Sequence, residues 1–190
     1  MKALAINSSA RKDSNTAIML NTVLGELSKD GIETELYQMA GKNIHGCTAC
    51  YKCIANKDKR CAVDDDIFNE CFEKMISSDI ILLGSPIYFA DITPELKCLI
   101  DRAGMVGRAN DFLFKRKLGA AIIANRRAGG IHGFDSVNHF FLIEQMIVVG
   151  SSYWNIGIGK NKGEVEKDEE GIKTLIDLAH NISWLAKKLI

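Results

Sequence analysis

Residues 45–53 read HGCTACYKC, with Cys47, Cys50 and Cys53 spaced three apart, and Cys61 follows the basic insert Ile54–Arg60. Thiolates at this spacing can converge on one centre, and a fourth from a nearby turn completes the coordination of a [4Fe–4S] cluster. Zinc is the competing occupant. Structural zinc sites usually pair two separate C-x2-C knuckles, whereas three of these cysteines share one overlapping run, which favours the cluster. The spacing leaves three states open: a cluster, a zinc ion, or thiols that hold no metal. The other two cysteines, Cys71 and Cys98, fall on apolar faces of helical patterns and read as buried thiols, and His45 reads as a loop residue.

A second group of residues suits an anion. NSSARKDSNT (Asn7 to Thr16) follows an apolar strand and runs into a helix, bringing hydroxyls, Arg11 and Lys12 to a helix N-terminus. Neither GxxxxGK[ST] nor GxGxxG occurs in it, which argues against a nucleoside triphosphatase and a dinucleotide-binding Rossmann fold. A terminal phosphomonoester fits better, while Ser14 or Asn15 could equally serve only as the helix cap. Farther on, GSPIYFADITPELK (Gly84 to Lys97) contains both prolines of the chain, which stiffen a loop offering Ile87, Tyr88 and Phe89 as an apolar edge. Those aromatics could instead belong to the core. Asn125-Arg126-Arg127-Ala128-Gly129-Gly130 adds a flexible cationic loop, whose arginines read either as partners for an anionic ligand or as surface charge.

The elements that must position these loops follow from hydropathy. Leu4–Ile6, Glu33–Gln38, Asp79–Gly84, Leu118–Ala124 and Met146–Val149 read as strands, and helical periodicity covers Thr16–Leu27, Thr93–Met105, Phe134–Gln145 and the stretch from Asp168 onward. Strand–helix alternation implies an α/β fold with five parallel strands in the order 2-1-3-4-5, sandwiched between helices, with its ligand site beyond the carboxyl ends of the strands. The 190 residues form one domain with a cysteine-rich loop at about 45–66, and Lys160–Glu170 is expected to be a solvated loop. With 24 basic and 24 acidic residues, the chain offers no basic excess for nucleic acid or a membrane surface. No apolar run spans a bilayer, and the N-terminus lacks the apolar core of a signal peptide, so a cytoplasmic protein is expected. A reducing compartment disfavours disulfides.

S-A-R-K-x-S-N-T, S-P-I-Y and T-P-E-L-K-C-L-I-D-R together resemble the NADPH-dependent FMN reductase superfamily of flavodoxin-like proteins. With C-x2-C-x2-C-x7-C followed by Asp64-Asp65-Asp66, the chain most resembles the iron–sulfur flavoproteins within it. The family usually has G-S-P-R in the first loop, where this chain has Ser8-Ser9-Ala10-Arg11. The resemblance implies that Ser9, Arg11, Ser14, Asn15 and Thr16 contact an FMN phosphate. It also implies that Pro86, Ile87, Tyr88 and Phe89 line the ribityl chain and ring, with Asn125 and Arg126 approaching from the third loop. Cys47, Cys50, Cys53 and Cys61 are the expected cluster ligands.

The function so implied is an FMN-dependent oxidoreductase of NAD(P)H, or a ferredoxin-linked electron-transfer protein, assembled as a homodimer or homotetramer. The flavin would carry the chemistry, so no residue is assigned a catalytic role. Two other classes remain: a non-enzymatic redox-sensing module that uses the cysteine loop, and a zinc-stapled scaffold without flavin.

Overall fold

The computed structural model describes residues 1–189. Its sheet contains β1 (Lys2–Asn7), β2 (Glu33–Gln38), β3 (Ile80–Pro86), β4 (Leu118–Asn125), β5 (Ile147–Val148) and β6 (Ile156–Ile158). The path runs β2-β1-β3-β4-β5 with every pair parallel, as the strand–helix alternation predicts. Burial follows position in the sheet: all eight residues of β4 are buried, whereas the edge strand β2 buries only Tyr37 fully.

The last strand differs from its expected form. Instead of one run at Met146–Val149, β5 pairs with Leu118 and Gly119, the chain loops outward, and β6 returns beside Ile123–Asn125. Asn155, 3% exposed, repairs the gap. Its side-chain amide donates to the Ala121 carbonyl at 3.1 Å, and its carbonyl accepts from Ile123 N at 2.9 Å. The backbone groups of β4 opposite the break therefore keep partners that a buried strand cannot do without.

Side-chain alternation sends Leu4, Ile6, Ile81 and Leu83 to one face of the sheet and Ala3, Ala5, Ile80 and Leu82 to the other. The first face packs against α3 (Phe68–Ile76), α4 (Pro94–Ala109) and α5 (Gly130–Ile143), the second against α1 (Asn15–Lys29) and α6 (Glu169–Leu189). A short helix, α2 (Lys52–Asn56), lies within the cysteine loop. Helix starts obey local chemistry. Ser14 Oγ caps α1 by accepting from Ala17 N at 3.1 Å, and Thr93 caps α4 with Pro94 in its first turn. Lys160–Glu170 is not simply a solvated loop. Glu164–Lys167 forms a 3-10 turn that buries Val165 completely, within the apolar layer containing Met19.

One buried charge is out of keeping with this core. Glu144, just after α5, is 0% exposed, and neither carboxylate oxygen has a partner among the described residues. It fits because Gly104 and Gly107 of α4 have no side chains: a Cβ added to Gly107 would lie 3.2 Å from Oε2. Burial pushes its carboxyl up to about 7, only partly opposed by Arg108. A carboxyl raised in the folded state binds more protons folded than unfolded. Stability therefore falls as pH rises from about 4.5 through 7. Glu144→Gln is expected to flatten that decline and to stabilise the protein at pH 8 by about 2 kcal/mol. Urea unfolding at pH 5 and pH 8 checks this, and equal gains at both pH values would contradict it.

Candidate functional site

All strands being parallel, the loops after β1, β3, β4 and β6 emerge at one edge, where they enclose a cleft. The first of these loops is shaped by Asn7, which is fully buried. Its Nδ2 donates to Gln38 Oε1 at 2.6 Å and its Oδ1 accepts from Ser9 N at 3.1 Å, while Gln38 Nε2 donates to the Ser9 carbonyl. This ties the loop to the neighbouring strand and presents Ser9, Arg11, Ser14, Asn15 and Thr16 to the cleft. Ser9 Oγ accepts from Arg11 N and Ser14 Oγ from Ala17 N, leaving both hydroxyl protons available to a ligand. Thr16 Oγ1 is buried and has no partner among the described residues, although the residue lines the cleft. A buried hydroxyl without a partner is costly, so this one is suited to an acceptor supplied from outside.

The fourth wall was missed in the sequence. Gly159, together with Lys160, Asn161 and Lys162 from the start of the run read as a solvated loop, closes the cleft opposite α1. Asn15 holds them there: its Nδ2 donates to the carbonyls of Gly159 and Asn161, both at 3.0 Å, and its Oδ1 accepts from Gly163 N at 2.9 Å. Asn15 is thus engaged in positioning this wall. Gly159 is needed for the approach, since a Cβ there would meet Asn15 Nδ2 at 2.7 Å. With Arg11 and Arg126, the wall brings four cations to a cleft whose lining contains no carboxylate.

The remaining expected residues divide. Pro86, Ile87, Tyr88 and Arg126 line the cleft. Phe89 does not: with φ of +49° and fully exposed, it occupies the tip of a tight turn closed by Tyr88 N to Asp91 O at 2.9 Å. Asn125 lines a neighbouring hollow on the other side of the 126–129 loop, with Tyr153, Trp154 and the start of α6.

The four cysteines of the motif line one hollow, shared with Arg102, Met105 and Val106 of α4 and containing no carboxylate. Among the described residues, no three His, Cys, Asp or Glu side chains gather closely enough to hold a single metal ion. The thiols instead surround a space. The loop is held in a costly conformation, with Ala49, Tyr51, Lys57 and Lys59 all at φ between +52° and +60°. Each such non-glycine residue costs about 1 kcal/mol, so the loop needs external support. That support comes from buried polar side chains. Asn69 brackets the Cys61 backbone, accepting from its N at 2.9 Å and donating to its carbonyl at 3.0 Å, and Asn110 Oδ1 accepts from Lys59 N at 3.1 Å. Asp66 accepts from His45 N at 2.7 Å and Phe68 N at 3.0 Å, and pairs with Arg102. Burial would raise the Asp66 carboxyl, but Arg102 and these two amides together hold it below the usual range. The Lys52 amide and the Thr48 hydroxyl likewise lower the Cys50 thiol, whereas burial raises Cys53 and, farther, Cys71. Asp66 was visible only as part of an acidic run, and Arg102 only as a charge on a helix.

Asn15→Ala is expected to release the 159–163 wall from α1, at a cost of about 1–3 kcal/mol. Amide exchange at Gly163 should accelerate while exchange in β1 and β3 stays slow. Unchanged protection at Gly163 would contradict the role given to Asn15.

Against known proteins, residues 1–161 match the NADPH-dependent FMN reductase family. An iron–sulfur flavoprotein of Methanocaldococcus jannaschii is 32% identical over 194 residues, covering 98% of each chain. One from Methanosarcina thermophila is 31% identical over 184 residues, 96% of this chain and 93% of the relative. Among solved structures, RosB with a bound 8-demethyl-8-formylriboflavin-5'-phosphate intermediate superposes with a TM-score of 0.79 at 22% identity, over all of this chain and 80% of RosB. That likeness extends to the fold. The chain belongs to the NADPH-dependent FMN reductase family and, within it, is related along nearly its whole length to the iron–sulfur flavoproteins.

Proposed function

We propose that the protein is a redox flavoprotein that binds FMN at the carboxyl edge of its sheet and a [4Fe–4S] cluster in its cysteine loop. It would exchange electrons between NAD(P)H or a reduced ferredoxin and an acceptor. The observation that carries this reading is the cleft itself, where a helix N-terminus, hydroxyls with protons to donate and four cations meet, only Lys162 of them paired with a carboxylate among the described residues, that of Asp13 at 3.0 Å. Such a lining suits a phosphomonoester dianion.

The residues fit the flavin. Thr16 Oγ1 and the hydroxyls of Ser9 and Ser14 would donate to phosphate oxygens, and Arg11, Lys160, Lys162 and Arg126 would balance the charge. Pro86 and Ile87 would form a stiff apolar rim beside the ribityl chain, with Tyr88 at the mouth. They fit the cluster too: four thiols and no carboxylate around one hollow make a soft donor set. When bound, FMN would supply two-electron chemistry and the cluster one-electron transfer. The protein's part is to hold each group and shield it. The exposed side chains of Leu142, Ile143, Tyr153 and Trp154 support reading the protein as a homodimer or homotetramer.

Thr16→Val is expected to weaken FMN binding about tenfold, because it removes a buried donor to a charged acceptor. The Lys160→Ala, Lys162→Ala pair should weaken binding and reduce its salt dependence. Quenching of FMN fluorescence by apoprotein measures both, and unchanged affinities would place the phosphate elsewhere. Protein purified anaerobically should contain about four iron and four sulfide per chain. Stoichiometric zinc, or no metal, would overturn the cluster. Bleaching of the flavin under argon by NADPH favours the reductase, and bleaching only by reduced ferredoxin favours the electron carrier.

A further inference from the structure

Arg102 is the largest fully buried side chain in the protein, 1% exposed, and nothing in the flavin chemistry requires it. Three of the five N–H groups of its guanidinium have acceptors. Nη1 donates to the His45 carbonyl at 3.1 Å and pairs with Asp66, Nη2 donates to the Val63 carbonyl at 2.7 Å, and the plane stacks on the Phe68 ring with Cζ 4.1 Å from its centroid. His45 precedes the first cysteine of the motif by two residues, and Val63 follows the last by two. One side chain therefore fastens both ends of the loop that holds the four thiols.

Two donors remain, the second N–H of Nη2 and that of Nε, and Nε is buried with no acceptor among the described residues. Arg102 itself lines the hollow enclosed by Cys47, Cys50, Cys53 and Cys61. A buried, charged donor left unpaired is expensive, whereas the same donor facing a thiolate or a sulfide gains a charge-assisted hydrogen bond.

We infer that Arg102 is a positioning residue for the iron–sulfur site: it clamps both ends of the cysteine loop through its terminal nitrogens and donates its Nε–H to a sulfur of the bound cluster. This rests on the cluster reading given above. Because the reduced cluster carries more negative charge, a hydrogen bond to its sulfur stabilises the reduced form more than the oxidised one and raises its potential.

The test uses anaerobically prepared holoprotein. In wild-type protein labelled with 15N-arginine, pulsed EPR of the reduced cluster should show a weak 15N coupling that is absent from unlabelled protein. Arg102→Lys keeps the positive charge but cannot reach two carbonyls and Asp66 together, and it has no Nε–H. The variant should lose iron to a chelator faster. Its reduced cluster should be destabilised roughly tenfold relative to the oxidised one, a drop of about 59 mV for one electron. Flavin quenching reports separately whether the rest of the fold survives. If the variant does not fold, the 15N measurement on wild-type protein decides alone. An iron-loaded wild type with no arginine coupling would overturn the inference and leave the cluster standing. So would a folded variant with unchanged potential and iron retention. A wild type that takes up no iron would remove both.

Discussion

Everything at the carboxyl edge depends on the direction of the strands. Because β1, β3, β4 and β6 all run the same way, the four loops that leave them converge, and the first residues of α1, Asn15 and Thr16, line the space between. An antiparallel neighbour would carry its loop to the opposite end. The burial of β3 and β4 on both faces enforces the arrangement, since strands covered by helices on each side need crossover connections. Onto that frame the chain adds polar ties of its own: Asn7 and Gln38 set the first loop, Asn15 sets the last, and Asn155 mends the ladder where the fifth strand divides.

The cysteine loop is built on a different principle. It has almost no regular structure, four of its residues lie in the left-handed region, and its only helix has five residues. Burial of apolar side chains could not fix such a segment. Instead Asp66 just ahead of α3, Asn69 within it, Arg102 of α4 and Asn110 at the end of α4 bond to its backbone. The Arg102–Asp66 pair is the costliest of these to disturb, because removing one partner leaves a buried charge uncompensated, at about 3–5 kcal/mol. The thiols are therefore arranged around their hollow by the protein's own polar contacts.

Much of this was legible in the residues. Continuous apolar runs gave the central strands and their order, and the hydroxyl-rich turn before Asn15 lines the cleft at the carboxyl edge, where the sequence placed a ligand. The parts that were not legible share a cause: each depends on a contact between residues far apart in the chain. Val165 is one apolar residue in the charged run KNKGEVEKDEE, and only the packing of Met19 and Gly157 against it makes that run part of the core. The division of the fifth strand turns on Asn155 reaching Ala121, a contact that no periodicity announces. Phe89 looked like a ring-lining aromatic by type, yet positive φ at Phe89 and Ala90 turns it outward. Arg102 and Glu144 are charged residues that helical patterning assigns to solvent, and both are buried.

The central claim is that this edge of the sheet is shaped for a terminal phosphate on a flavin. Titrating apoprotein with FMN and with riboflavin, which differ only in that phosphate, tests it most directly. FMN should bind at least about a hundredfold more tightly, since two or more charge-assisted hydrogen bonds depend on the phosphate. Equal affinities, or no quenching of either compound, would contradict the account.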